Sequence, residues 1–206
     1  CTVWEIAWYM RGMEDLMVDL LADSPCAIWH LDRLTDIACQ RAQAFAQAGV
    51  DLLCLGDDIG MQKTTMMSMD NYRQWLKPRH AAVISAAKAA KPDIMVTYHS
   101  CGFIEPFIPE LIEIGVDVLD PVQPECMDFA KIHAQYGSQL SFWGTLGTQS
   151  TMPFGSDDDV RRITLHNLAS AGSKGGLFCS PTHMIEPEVP WDNIEAYVQA
   201  ARDFRP

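Results

Sequence analysis

The sequence predicts an α/β protein built on a mainly parallel sheet, and three observations predict it. Short β-branched or apolar runs alternate with longer stretches of helical period along all 206 residues. Each intervening stretch is long enough to carry a helix, which a parallel crossover requires. The reactive polar residues fall just after the runs, where ligands sit in parallel α/β architectures. Two architectures satisfy these observations, a doubly wound sheet and a (β/α)8 barrel. A barrel typically takes about 250 residues and eight strands. The chain offers about six βα units in one domain over 1–206, so it fits an incomplete barrel that lacks its first two strands. Such a sheet has two unpaired edges, and an oligomer or a partner subunit is expected to cover them.

In chain order the predicted strands are 2–7, 50–56, 94–98, 116–120, 140–144 and 176–180. The first and last are the expected open edges. The clearest helix runs over 69–90 behind an N-cap at Ser68, with Tyr72, Leu76, Val83 and Ala87 on one stripe and a kink expected at Pro78. A helix over 104–114 stops at Gly115. Val160, Ile163, Asn167, Leu168 and Ala171 repeat the helical stripe, as do Ile194, Tyr197, Val198 and Ala201. Asp157, Asp158 and Asp159 read as a helix N-terminus favoured by the macrodipole. Cys39 and Cys54 read as core packing, and His30, His80, His133 and His166 as surface or interhelical residues.

Composition narrows the function. Fifteen Lys and Arg against 27 Asp and Glu give a net charge of -12, which disfavours nucleic acid and anionic membrane surfaces as partners. No apolar run reaches the roughly 18 residues of a membrane span. The 7 cysteines are odd in number and scattered without a CxxC, so they read as reduced thiols of a cytoplasmic protein. The chain opens on Cys1 within an apolar segment and shows no leader, which predicts that amino-terminal sequence is missing. There is no GxGxxG, P-loop or GxSxG to support dinucleotide, nucleoside triphosphate or serine-hydrolase chemistry.

The strand ends supply Asp57 and Asp58, then His99, Ser100 and Cys101, then Asp120 and Gln123, and later Gln149 and His183. Residues i and i+2 of a strand share a face, so His99 and Cys101 bring an imidazole and a thiol together, a pair suited to zinc. Cys179 and His183, at the end of the last strand, are both candidates to complete the ligand set. The alternative is a buried thiol beside a hydrogen-bonded histidine. Met61, Met66, Met67 and Met69 follow an unusually long loop after Gly56 and form either a flexible apolar lid or packing over the rim.

The strings GDDIGMQ, YHSCGFIEPFIPELIEIGVDVLDPVQPE, FWGTLGTQSTMPFG and SPTHMIEPEVPWDNIEAYVQAA resemble the uroporphyrinogen decarboxylase superfamily. The resemblance runs from EIAWYMRGMEDLMVDL to the last helix and implies the carboxyl-terminal part of a (β/α)8 TIM barrel. The HSCG string is most similar to the branch of cobamide-dependent methyltransferases, in which a His-x-Cys pair and a later Cys bind zinc. His99 and Cys101 carry over directly. His183 stands where that branch has Cys, with Cys179 four residues earlier as the reserve ligand.

The resemblance implies a methyltransferase that moves a methyl group between a small methylated substrate or thiol and the corrinoid of a partner protein, with zinc as Lewis acid. It assigns His99, Cys101 and His183 to the metal. Asp57, Asp58 and Gln123 act with His99 in orienting the substrate or the metal shell, and Asp120, Gln149 and Met61 contact substrate. The runner-up is porphyrinogen decarboxylation without a cofactor, with Asp57 or Asp58 stabilising a protonated pyrrole and His183 bonding a carboxylate. Its arginine and aspartate motifs for porphyrin carboxylates would lie before Cys1. A third reading is a non-catalytic barrel fragment that pairs with a partner subunit.

Overall fold

The computed structural model describes residues 1–172 and 175–205. Strands β1 (Leu52–Gly56), β2 (Met95–His99), β3 (Val118–Asp120), β4 (Ser141–Trp143) and β5 (Leu177–Phe178) lie in one sheet in chain order. Leu52 stands opposite Met95 and Gly56 opposite His99 in the parallel β1/β2 pair. The β3/β4 and β4/β5 pairs are also parallel. An unbroken chain order is that of successive barrel units, whereas a doubly wound sheet reverses at a switch point.

Five of the expected strands form and the run over 2–7 does not. Those residues enter helix α1 (Trp4–Arg11). Val3, Trp4 and Ala7 are buried, and positions 3 and 7 repeat at helical spacing. The helix has no side-chain cap of its own. The Thr2 and Val3 N–H groups just before it and the Glu5 N–H in its first turn donate instead to the carboxylate of Asp57, 54 residues from Val3. An anion there satisfies donors that have no partner within a helix. The edge expected at 2–7 is therefore formed by β1.

The helix expected over 69–90 is divided. Ser68 caps α4 (Met69–Asn71) as predicted, its hydroxyl accepting the Asn71 N–H at 3.1 Å. A π-helical turn then covers Tyr72–Leu76, and α5 runs over Lys77–Ala90. Pro78 has no N–H to return to the preceding turn, and the Lys77 N–H reaches back to the Tyr72 carbonyl. The irregularity thus lies just before Pro78. The stripe itself is buried, with Tyr72, Leu76, Val83 and Ala87 all in the core.

The chain forms two compact units. The first comprises Cys1–Ile59, Thr65–Ser100 and Pro106–Asp117. It holds α1, α2 (Met13–Leu21), α3 (Pro25–Gln47), β1, α4, α5, β2 and α6 (Ile108–Glu113). Helix α3 packs on α5, and four of its six buried residues, Ala27, Ala38, Ala42 and Ala46, are alanines, with Leu31 and Thr35 the others. Glu110 on α6 accepts Lys77 at 2.6 Å and also bonds Arg73. The hydrogen bonds from Arg73 and Lys77 outweigh burial and hold its carboxyl at about 2. The π-helical turn and the start of α5 are thereby fastened to α6.

The second unit comprises Gly60–Thr64, Cys101–Glu105 and the chain from Val118 onward. Here β3, β4 and β5 are joined by α7 (Phe129–Tyr136), α8 (Thr151–Phe154) and α9 (Asp157–Ala171), and α10 (Trp191–Asp203) follows. Leu146, Met152, Val160, Val189 and Ala196 form a buried cluster. Asp157, Asp158 and Asp159 do begin a helix, and Ser156 and Asp159 cap it reciprocally. One expectation for a single residue fails and another loses its surface alternative. Cys54 is exposed on β1 and not in the core, and His80 on α5 is fully buried. Among the described residues no helix is long and apolar enough to cross a membrane.

Candidate functional site

Strand β2 runs directly into the reactive tripeptide. Tyr98 and Ser100 are fully buried, while His99 and Cys101 are half-buried, which is the alternation expected of an extended chain. The Ser100 hydroxyl accepts the Ile59 N–H at 3.0 Å and fixes the loop that leaves β1. Gly102 follows with φ of 87°. A Cβ there would lie 2.8 Å from the Gly60 carbonyl carbon and the Met61 oxygen, so only glycine fits. Its N–H donates to Gln123 Oε1 at 2.9 Å, and the Phe103 N–H donates to the Met61 carbonyl at 2.8 Å. The backbone beside Cys101 is thus held from two sides.

His183 is positioned from the far end of the second unit. Leu146 and Pro181 form a parallel bridge beyond β4 and β5, and the Thr182 N–H donates to the Leu146 carbonyl at 2.9 Å. The Thr182 and Thr148 hydroxyls meet at 3.1 Å. His183 comes next in an exposed loop. One ligand atom from each of His99, Cys101 and His183 lies within 4.8 Å of the others. This is a nitrogen, sulfur, nitrogen donor set. Cys179, the reserve ligand, is outside the group. Burial pushes its thiol up to about 11, so it stays protonated near neutral pH, and its carbonyl accepts the Tyr197 hydroxyl.

Asp57 departs from the expectation that it orients substrate. It is 0% exposed, and each carboxylate oxygen accepts two hydrogen bonds. Thr2 N and Glu5 N donate to Oδ1 at 3.0 and 3.1 Å, and Val3 N and His80 Nε2 meet Oδ2 at 2.9 Å. Four donors fill the capacity of a carboxylate. Burial alone would raise its pKa, but the bond and charge of His80 and the Val3 and Thr2 N–H groups outweigh burial and hold it below 3.8. The Tyr98 hydroxyl donates to the Asp57 carbonyl at 3.0 Å, closing the network. In this structure the Asp57 carboxylate is engaged by the chain's own donors and anchors the start of α1.

The remaining predicted residues divide by exposure. Asp58 and Asp120 are half-buried, Gln123 is buried, and Met61 and Gln149 lie at the surface. Gln123 spends its carbonyl oxygen on Gly102 and so acts on the loop beside Cys101. Sequence reasoning missed three participants. His80 continues the buried stripe at Leu76 plus four, a signal that was present in the spacing. The Glu5 carboxyl is raised from its ordinary value by burial, then by Asp58 and Asp57. The Cys126 thiol is raised by burial, then by Glu125 and Cys101, which puts a second sulfur within electrostatic reach of Cys101. Nothing local in the sequence marks either of these two.

Comparison with known proteins adds the lineage. A solved methyltransferase from Methanosarcina mazei superposes with a TM-score of 0.78 at 22% sequence identity. The match covers 97% of this chain and 56% of that one, so the chain spans about half the length of that structure. At this identity the likeness is one of fold. A search of curated proteins returns no match. The family model described as Uroporphyrinogen decarboxylase (URO-D) matches residues 2–204, and with nearly the whole chain covered, the protein belongs to that family.

Proposed function

We propose that the protein takes part in zinc-dependent methyl transfer between a small methylated substrate or thiol and the corrinoid of a partner protein. The observation that carries this reading is the approach of His99, Cys101 and His183 to within 4.8 Å of one another. Two imidazoles and a thiolate are ligands of the right softness for zinc, and three protein donors leave a fourth position for an exogenous group, as catalytic zinc sites do. Zinc bound there supplies Lewis acidity that lowers the pKa of a thiol acceptor or polarises a leaving heteroatom.

The chain's own residues prepare that position. Gln123 and the Gly60 to Thr64 loop fix the backbone at Cys101 and Gly102, and the Leu146 to Pro181 bridge fixes the loop of His183. Asp58 and Asp120 are half-buried carboxylates at strand ends, whose negative charge favours a neutral or cationic substrate over an anionic one. In the direction of thiol methylation a sulfur–carbon bond forms and the thiol proton departs. The methyl donor would be a methylcorrinoid on the partner, which would keep the electron pair of the broken bond. A net charge of -12 disfavours a polyanionic porphyrinogen.

Metal analysis of the intact protein, with methylcobalamin and a thiol offered in parallel with uroporphyrinogen, tests the proposal. About one zinc per chain and loss of both zinc and methyl transfer in Cys101→Ala are the expected results. Carbon dioxide released from the porphyrinogen by a metal-free protein, unaffected by Cys101→Ala, overturns it in favour of decarboxylation.

A further inference from the structure

A pocket of about 220 Å³ opens within the first unit, walled by Trp4, Met17, Met66, Met67 and Trp75 among others. None of its lining residues is charged, and none belongs to the His99, Cys101 and His183 group. Leu21 at its rim is 70% exposed, so the pocket has access to solvent. A cavity of about 150 Å³ with apolar walls accepts benzene, so this volume suits a substituted ring.

Two further features define the occupant. Three thioethers line the pocket, and sulfur packs favourably against aromatic rings while adapting to their shape. The Trp4 indole is almost fully buried, and its N–H donates at 3.4 Å to the sulfur of Met66. A thioether is a weak acceptor, so this buried donor gains by turning to an oxygen or nitrogen brought by a ligand. Absence of charge on the walls excludes an ionised ligand, whose desolvation nothing there would offset.

We propose that this pocket binds a small neutral aromatic molecule carrying one hydrogen-bond acceptor, with the acceptor on the Trp4 indole N–H. The proposal does not depend on the metal reading, and its test is a binding measurement that needs neither metal nor turnover. Anisole, toluene and benzoate are each titrated into the intact protein while the nitrogen-labelled Trp4 indole resonance is followed. A saturable shift with anisole, at about a millimolar or tighter, is expected. Toluene lacks the acceptor and binds up to about tenfold more weakly, and benzoate at least about tenfold more weakly. Met67→Trp fills the pocket and abolishes the anisole shift.

No saturable shift with anisole, equal affinity for benzoate, or an anisole shift that survives in a folded Met67→Trp protein each overturns the proposal. An indole shift that follows protein concentration without ligand also overturns it, because a second copy of the chain then fills the pocket. The comparison of the three ligands uses the unaltered protein and decides the matter even where the variant does not fold.

Discussion

Asp57 and His183 both follow a strand of the same parallel sheet, and they are held in opposite ways. Asp57 is completely buried with all its lone pairs taken, three of its four donors being backbone N–H groups near the start of α1. His183 is exposed, and the structure around it fixes the loop through the Thr182 backbone. A polar side chain after a strand is therefore part of the scaffold where the protein's own backbone saturates it. Where the side chain is exposed on a loop that the neighbouring backbone holds in place, it can be reached by a ligand.

This contrast can be broken most sharply at Asp57. Asp57→Ala leaves three N–H groups of the α1 region and the His80 ring without their acceptor in the core, and is expected to cost about 3–5 kcal/mol. Urea unfolding measures it, and a loss below about 1 kcal/mol would show that the anchor is dispensable.

A smaller effect follows from acid. The Asp57 carboxyl is held below 3.8 in the folded protein. A depressed carboxyl contributes stability that is present above the unfolded value and disappears as the pH falls through the folded one. Unfolding midpoints measured from about pH 6 down to about pH 3 should therefore decline, and Asp57→Asn should flatten the decline in the lowest part of that range. An Asp57→Asn curve parallel to that of the unaltered protein would place the acid sensitivity elsewhere.

The same contrast explains what could be read from the sequence. The strands over 52–56, 95–99, 118–120 and 141–143 were legible because buried parallel strands are short apolar runs between helices. The run over 2–7 has the same composition, but its helical state depends on a carboxylate more than fifty residues away, which no local window contains. His99 and Cys101 were legible because spacing on a strand dictates a shared face. Asp57 was not separable from Asp58 by sequence, since only tertiary packing buries one and leaves the other half-exposed. His80 could have been found, because a histidine on an otherwise apolar stripe is buried and a buried imidazole needs a partner.

The smallest expected effect on stability, and the one that defines the other pole, is at His183. An exposed loop histidine removed to alanine should change the unfolding free energy by no more than about 0.5 kcal/mol. Its consequence should lie in metal retention, because the remaining imidazole of His99 and thiolate of Cys101 form a two-donor site, which holds zinc far less tightly than three donors. Zinc measured after dialysis against a weak chelator should stay with the unaltered protein and leave His183→Ala. A His183→Ala protein that unfolds several kcal/mol more easily would make this residue a second anchor like Asp57, and one that keeps its zinc would remove it from the ligand set.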